Sequence, residues 1–123
     1  MRVIDTSLWI ELFSSGPLLE VAHEAIAPIE SCIVPTIVHF ELSKWCNRVL
    51  QAEEVKSVQS LLTECITVNL DLVLALEAAA LSAKYKLHAT DAIIYATAQL
   101  HNAPLITCDA HFEGLPGVEY FVK

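Results

Sequence analysis

Short apolar segments alternate with longer amphipathic stretches along almost the whole of this 123-residue chain. The short segments have the length and composition of buried strands. We predict five of them, at Arg2–Ile4, Cys32–Val34, Ile66–Asn69, Pro104–Thr107 and Val118–Phe121. Strands that alternate with helices form a parallel sheet, because each connection has to cross back over the sheet. The pattern therefore predicts an α/β fold in which a mostly parallel sheet is covered by helices on both faces.

The stretches between the strands carry apolar residues at helical spacing. We predict six helices, at Ser7–Phe13, Leu18–Ala27, Thr36–Leu50, Gln51–Glu64, Leu72–Tyr85 and Asp91–His101. Thr36, Asp71 and Thr90 are predicted N-caps, because their side-chain oxygens can accept hydrogen bonds from first-turn amides. Only three glycines and no linker or low-complexity tract interrupt the chain. We therefore predict a single domain over residues 1–123.

Hydrophobic residues make up 54% of the chain, and the mean hydropathy is +0.50. No stretch reaches the roughly 18 to 20 consecutive apolar residues that a membrane-spanning helix needs. We therefore expect a sheet that is buried on both faces, and an apolar oligomer interface, rather than a membrane protein. No signal-peptide pattern precedes the first strand, so we expect a cytoplasmic protein whose cysteines are reduced and packed near the core. The cysteines lack the C-x-x-C spacing of zinc sites.

Four acidic residues occupy comparable positions in the predicted fold. Asp5 and Asp109 follow the first and fourth strands, Asp91 opens the last helix, and Glu41 lies in the helix after the second strand. The carboxyl ends of parallel strands share one edge of a sheet, where ligands bind. Carboxylates gathered at that edge repel one another, so either their pKa values rise or a cation joins them. A hard divalent ion such as Mg²⁺ is the usual solution, and it brings phosphate chemistry with it.

Each aspartate also has an ordinary structural explanation. Asp5 could cap the helix that follows it, although Ser7 could do so instead. Asp91 could interact with the dipole of its own helix, and Asp109 could be a turn residue. No single residue distinguishes the two interpretations. The joint placement of the acids at one edge carries the prediction of a cation site.

The charge of the chain bears on its partners. The net charge is −8, whereas proteins that bind nucleic acid usually carry a basic surplus, so such a role requires a local basic patch or a bridging metal. Lys44 and Arg48 share a helix face with Glu41. This arrangement could also be explained by an ion pair between Glu41 and these basic residues within the helix. Lys84 and Lys86 lie shortly before the last helix. We predict that these four residues form a basic rim around the acidic site.

Four segments of the chain share the pattern of one known family. They are Val3-Ile4-Asp5-Thr6-Ser7, Glu41 in its helix, Ala89-Thr90-Asp91-Ala92, and Leu105-Ile106-Thr107-Cys108-Asp109-Ala110-His111-Phe112 followed by Leu115-Pro116-Gly117. On these motifs the chain resembles the PIN-domain ribonucleases, and in particular the small VapC-type toxins of toxin–antitoxin pairs, over essentially its whole length. The resemblance implies a three-layer α/β/α sandwich with about five mostly parallel strands.

The resemblance also implies an activity, namely endonucleolytic cleavage of RNA that depends on Mg²⁺ or Mn²⁺. The catalytic, metal-holding acids would be Asp5, Glu41, Asp91 and Asp109. The hydroxyls that orient those carboxylates would belong to Thr6, Ser7 and Thr107. His111 would lie at the rim and touch either the substrate or a metal ligand, with a helix-capping or surface role as the alternative. We predict in-line attack by a metal-activated water that leaves a 5′-phosphate and a 3′-hydroxyl.

The implied partners are RNA, a cognate antitoxin and a second copy of the chain in a homodimer. Trp9 and Trp45 could anchor protein contacts or belong to the core. One alternative is a PIN-like nuclease outside a toxin–antitoxin pair, acting on housekeeping RNA or on DNA. A second is a non-catalytic metal-binding signalling module such as a phospho-receiver, but the Thr107-Cys108-Asp109 turn does not supply its residue pattern. A haloacid-dehalogenase phosphatase would need Asp-x-Asp after the first strand, where this chain has Ser7.

Overall fold

In a computed structural model that describes residues 1–123, the chain forms five strands, six α-helices and two short 3₁₀ turns. The strands are β1 (Arg2–Ile4), β2 (Cys32–Pro35), β3 (Ile66–Val68), β4 (Leu105–Thr107) and β5 (Val118–Tyr120). The helices are α1 (Thr6–Ser14), α2 (Leu19–Ile26), α3 (Thr36–Val49), α4 (Ala52–Leu62), α5 (Leu72–Tyr85) and α6 (Ala89–Leu100). The 3₁₀ turns are Ile29–Ser31 and Ala110–Phe112. All five predicted strands and all six predicted helices are present, and no end differs from its predicted position by more than two residues.

All strands are parallel and lie in the order β3-β2-β1-β4-β5, which confirms the predicted three-layer α/β/α fold. The central strand is β1, in which Val3 pairs with Ile33 of β2 and with Leu105 of β4. These three side chains are fully buried. Strands covered on both faces read as continuous apolar runs, which accounts for the high hydropathy of the chain.

The strand order also locates the site. The chain moves outward in one direction from β1 through β2 to β3 and then returns to place β4 on the other side of β1. In open parallel sheets, ligands bind outside the carboxyl ends of the strands at the point where the order reverses. Here that point lies between the ends of β1 and β4. Asp5 immediately follows β1, and Asp109 lies two residues after β4.

Two predicted N-caps are wrong. Thr36 and Thr90 both lie inside their helices, because the extended backbone that precedes each helix is at Pro35 and at His88 respectively. The helix α6 therefore begins two residues earlier than predicted. As a result Asp91 is the third residue of α6 rather than the first, and its side chain projects from within the first turn.

Two acidic side chains fix helix ends. Asp71 caps α5 as predicted, since its Oδ1 accepts a hydrogen bond of 2.9 Å from the amide of Leu74. Glu11 is 1% exposed and accepts 2.8 Å from the amide of Leu18, which closes the turn between α1 and α2. The ammonium of Lys123 lies 3.0 Å from the other oxygen of Glu11. Burial acts to raise the pKa of Glu11, but these two partners outweigh it, and the net direction is downward.

The buried hydrophobic residues form one cluster of 27 side chains around the sheet. Trp9 is fully buried in this cluster and stacks on Phe13 with ring centroids 5.9 Å apart, so it belongs to the core. Trp45 is only partly buried. The four cysteines form no disulfide, and three of them are buried. None of the helices combines the length and the apolar composition needed to cross a bilayer.

Candidate metal centre at the carboxyl edge of the sheet

Asp5 is the most enclosed acid of the site. Its side chain is 3% exposed, and its Oδ2 accepts hydrogen bonds from the hydroxyl of Ser7 at 2.6 Å and from that of Thr107 at 2.8 Å. Asp5 occupies the N-cap position of α1 but makes no capping hydrogen bond with its side chain. The ordinary explanation of this residue as a helix cap is therefore wrong, and its carboxylate is committed to the site instead.

The surroundings of Asp5 oppose its negative charge. Burial raises its pKa to about 6 and is the largest influence. The hydroxyls of Ser7 and Thr107 stabilise the ionised form and lower the pKa, whereas the charges of Asp109 and Asp91 raise it further. The three aspartates are thus close enough to repel one another. A cation among them would remove this penalty.

Hydroxyl groups join the end of β1 to the end of β4. Thr107 donates to Asp5 and accepts 2.9 Å from the amide of Asp109. Ser7 accepts 3.2 Å from the amide of Cys108 and lies 3.3 Å from the hydroxyl of Thr107. Each hydroxyl therefore orients a carboxylate and holds the β4 turn against the start of α1.

Asp91, Asp109 and His111 form the tightest group of possible ligands. Their ligand atoms all lie within 4.8 Å of one another. Nδ1 of His111 is 3.3 Å from Oδ2 of Asp91 and 3.3 Å from Oδ1 of Asp109. The amide of His111 also donates 2.9 Å to Oδ1 of Asp109, so the turn role considered for Asp109 is present together with its place in the cluster. Sequence reasoning put His111 at the rim, and the structure places its ring against both carboxylates.

Asp91 shares the electrostatic penalty of Asp5. Burial raises its pKa, and the nearby charge of Asp109 adds to the rise. His111 and His88 act in the opposite direction. The ring of His88 lies edge-on to that of His111, with centroids 5.8 Å apart. No signal in the sequence drew attention to His88, because its role depends on the start of α6, which was predicted two residues too late.

Glu41 adjoins the cluster without entering it. Its Oε1 accepts a hydrogen bond of 2.7 Å from the hydroxyl of Thr6, the residue that follows Asp5. It forms no ion pair with Lys44 or Arg48, so the intrahelical ion pair considered for Glu41 is wrong. Thr6 thus holds the Glu41 carboxylate beside the centre.

Half of the predicted basic rim lies beside Glu41. Lys44 and Arg48 line a cavity of about 300 Å³ together with Phe40, Glu41 and Trp45. The two aromatic residues were not among the predicted site residues. The sequence did contain a signal for them. Phe40 is next to Glu41, and Trp45 lies four residues after Glu41, a spacing that puts Glu41 and Trp45 on one helix face.

The other half of the predicted rim lies on α5 and just after it. Lys84 places its ammonium 5.2 Å from the ring centroid of Tyr85. Lys86 ends α5 in the left-handed conformation, with a φ of 57°, two residues before His88. Both lysines are exposed. They do not line the cavity beside Glu41.

The donor set fits a hard divalent cation. Carboxylate oxygens dominate it, and these are the ligands that Mg²⁺ and Mn²⁺ prefer. Asp91, Asp109 and His111 would hold the ion, with Asp5 facing it from the end of β1. The raised pKa values of Asp5, which is buried, and of Asp91, which is half-buried, are what neighbouring carboxylates show when no cation neutralises them.

Residues 2–118 of the chain match the PIN domain family. The chain belongs to the PIN domain family. It is 32% identical to a chain of the toxin–antitoxin complex from Klebsiella pneumoniae, with a TM-score of 0.84 and coverage of 97% of this chain and 96% of that one. No curated protein sequence matches the chain significantly.

Two further structures share the fold at lower identity. VapBC2 from Rickettsia felis, bound to a DNA fragment from its promoter, is 15% identical with a TM-score of 0.78 and covers 97% of each chain. DNA-bound VapBC from Salmonella typhimurium is 16% identical with a TM-score of 0.76 and covers 98% of each chain. The predicted resemblance to VapC-type PIN domains is confirmed, and the phosphatase and phospho-receiver alternatives are set aside. As a PIN domain, the chain is classed with the nucleases.

Proposed function

We propose that this PIN domain is an endoribonuclease dependent on Mg²⁺ or Mn²⁺ and that it is the toxin of a toxin–antitoxin pair. The observation that carries the proposal is the convergence of Asp5, Asp91 and Asp109 at the point where the strand order reverses. Three negative charges at one edge, with raised pKa values for two of them, form a site for a cation and for the phosphate that a cation attracts. The PIN family match supports nuclease chemistry.

The residues of the chain have separable roles in the proposed reaction. Asp91, Asp109 and His111 would hold the cation, since Nδ1 of His111 already lies 3.3 Å from a carboxylate oxygen of each aspartate. Asp5 supplies a third negative charge, which Ser7 and Thr107 hold in one orientation. Glu41, which the hydroxyl of Thr6 holds beside the centre, would supply a fourth carboxylate near the cation.

A bound Mg²⁺ or Mn²⁺ supplies an activated water at neutral pH and neutralises charge that develops on the scissile phosphate. The products expected from in-line attack by water are a 5′-phosphate and a 3′-hydroxyl. His88 and His111 lie side by side with ring centroids 5.8 Å apart, and His111 contacts the carboxylates of Asp91 and Asp109. We therefore assign His111 to the metal centre rather than to metal-free acid–base cleavage of RNA.

The purified protein should be incubated with tRNA, structured RNA, single-stranded DNA and duplex DNA, in Mg²⁺, in Mn²⁺ and in EDTA. We expect cleavage of RNA only when a divalent ion is present. End-group analysis should find 5′-phosphates. Cleavage in EDTA would contradict the metal role, and cleavage of DNA alone would favour a PIN nuclease outside a toxin–antitoxin pair.

Thr107 offers a test of the hydroxyl network. We expect Thr107→Val to weaken Mn²⁺ binding by about 10- to 100-fold, because it removes the hydroxyl that orients Asp5 while preserving side-chain volume. Isothermal titration with Mn²⁺ measures the change. Thr97→Val is the matched control, since Thr97 is equally buried but its hydroxyl bonds only to the carbonyl of Ile93 in its own helix. Equal effects of the two substitutions would show that the loss is one of packing.

Lys44 and Arg48 offer a test of the basic rim. We expect the double change to Ala to weaken binding of single-stranded RNA and to reduce the slope of log Kd against log salt by about 1.4, which corresponds to two phosphate contacts. The salt series should be measured by fluorescence anisotropy. Lys56→Ala on α4 is the control for charge alone. An unchanged slope in the double variant would remove these residues from the RNA path.

The proposed protein partner is an antitoxin, and the proposed location is the cytoplasm. The chain from Klebsiella pneumoniae that is 32% identical belongs to a toxin–antitoxin complex, which supports a partner of the same kind here. The acidic centre would accept a basic side chain from such a partner. Coexpression with a candidate antitoxin, followed by copurification, tests the pair.

We also propose that the chain forms a homodimer through α5. Leu72, Val73 and Leu76 are 72%, 66% and 64% exposed and lie on one side of this helix. Contiguous exposed apolar side chains of this kind mark interfaces. We expect the double change of Leu72 and Leu76 to Glu to convert a dimer to a monomer in light scattering coupled to size exclusion, whereas Val49→Glu on α3 should not. A monomeric wild-type protein would contradict the proposal.

A further inference from the structure

The cavity beside Glu41 brings aromatic rings and basic side chains together. Phe40 is 58% exposed, and Trp45 presents part of its ring to the same cavity. On the same helix, Lys44 lies between the two aromatic residues and Arg48 follows Trp45. The ammonium of Lys44 is 5.8 Å from the ring centroid of Phe40. We call this set the α3 groove. It ends at Glu41 and Thr6, so it is continuous with the acidic centre.

The chemistry of the α3 groove matches that of a nucleotide. Aromatic faces stack on bases of any sequence, and nearby cations contact the phosphates on either side. The chain has a net charge of −8 and only seven Lys and Arg residues. Two of these residues lie beside the exposed ring of Phe40 and the partly buried ring of Trp45, and this local positive charge favours an anionic ligand. The volume of about 300 Å³ is at the lower end for small-ligand sites and suits a single base.

We propose that Phe40 and Trp45 form a base-stacking subsite for one unpaired nucleotide next to the scissile phosphate, with Lys44 and Arg48 on its flanking phosphates. The proposal rests on the proposed nuclease function and deepens it. A base within a duplex is stacked on its neighbours and cannot offer a face to these rings. The subsite therefore selects single-stranded segments and fixes which bond of the strand meets the acids.

The experiment compares two single-stranded probes in the absence of cleavage. Both are fluorescein-labelled RNA strands of about 12 nucleotides, a length within the range of single-strand sites. One carries uracil at every position, and the other is a wholly abasic strand with the same phosphates. Binding is measured by fluorescence anisotropy in EDTA for the wild type and for Phe40→Leu, Trp45→Leu and Val49→Ala.

We expect the wild type to bind the uracil strand about 5- to 150-fold more tightly than the abasic strand. Phe40→Leu and Trp45→Leu should lose most of this preference while binding the abasic strand as the wild type does, because the cations remain. Val49→Ala, an exposed apolar residue of α3 outside the groove, should behave as the wild type. Leu in place of Phe40 keeps apolar surface, so a loss identifies stacking rather than burial. Circular dichroism confirms that each variant is folded.

Two results would overturn the proposal. One is an equal preference for uracil in the wild type and in Phe40→Leu. The other is that Phe40→Leu leaves RNA binding intact and weakens only the complex with a protein partner, which would assign the α3 groove to that partner. A parallel cleavage assay in Mn²⁺ distinguishes failure of the base-stacking subsite from failure of the proposed nuclease function. Cleavage by the wild type with no effect of Phe40→Leu on binding removes the subsite alone, whereas no binding and no cleavage of RNA removes the proposed function with it.

Discussion

Replacing Asp91 with Asn is expected to lower the rate of RNA cleavage by on the order of 1,000-fold while the protein remains folded. Asp91 is one of two carboxylates within 3.3 Å of Nδ1 of His111, and an amide oxygen in its place is neutral. The loss of one anionic ligand weakens the cation and the charge stabilisation it gives to the transition state, which amounts to several kcal/mol. Single-turnover cleavage of a labelled RNA in Mn²⁺ measures the effect.

The matched control is Asp71→Asn. Asp71 caps α5, and Asn is an equally good cap, so this change removes a negative charge from the chain without touching the site. It should leave the cleavage rate unchanged. Induced expression in a bacterium gives a second readout, in which the wild type and Asp71→Asn arrest growth and Asp91→Asn does not. Growth arrest by all three proteins would separate toxicity from cleavage.

The second large effect concerns stability, because replacing a residue of the proposed active site is expected to stabilise the fold. We expect Asp5→Asn to raise the free energy of unfolding of the metal-free protein by about 3 kcal/mol at neutral pH. Burial raises the pKa of Asp5 to about 6, against 3.8 in the unfolded chain. That interval, at 1.36 kcal/mol for each pH unit, gives the estimate. The amide of Asn keeps an oxygen that can accept from Ser7 and Thr107 and carries no charge.

The pH dependence follows from the direction of the shift. Below pH 3.8 Asp5 is protonated in both the folded and the unfolded chain, so its charge costs nothing. As the pH rises from 3.8 to about 6, the unfolded chain ionises first, and the wild type loses stability relative to Asp5→Asn. Above pH 6 the difference is constant. The advantage of Asp5→Asn should therefore be full at pH 7.5 and should disappear near pH 3.5.

Urea unfolding in EDTA at several pH values tests this prediction. Saturating Mn²⁺ should then stabilise the wild type more than Asp5→Asn and narrow the gap, because a ligand that binds the folded state adds its binding free energy. Thr97→Val serves as a control for a buried polar change without charge. If Asp5→Asn is less stable than the wild type at pH 7.5 without metal, the carboxylate is stabilised by its two hydroxyl partners more than burial opposes it.

The fold followed from the sequence because its signals are local. The apolar runs at β1 and β4 and the helical spacing between them each report one element, and a parallel sheet is the arrangement that joins them. Helix starts were less predictable. Thr36 and Thr90 have side chains that can cap, but the backbone turns at Pro35 and at His88, and the choice depends on how the preceding strand or turn packs.

The sequence was enough to predict which acids meet at the site, but not how the side chains around them are oriented. Asp5 follows β1 and Asp109 follows β4, and these two strands pair with each other, so the topology brings the two acids together. Whether His111 lies at the rim or against the carboxylates depends on the 3₁₀ turn after β4, which a single histidine in a sequence does not reveal. The exposed ring of Phe40 was missed for the same reason, since exposure is decided by which helices cover α3.

The connection between β1 and β4 has a consequence for the timing of activity. The hydroxyl of Thr107 reaches Asp5 across 102 positions of the chain, so the centre exists only after β4 has paired with β1. During translation the first 104 residues carry Asp5, Glu41 and Asp91 but neither Thr107 nor Asp109. A nascent chain that still lacks β4 therefore cannot assemble the acidic centre on which the proposed nuclease activity depends. That centre can form only when nearly the whole chain has been made.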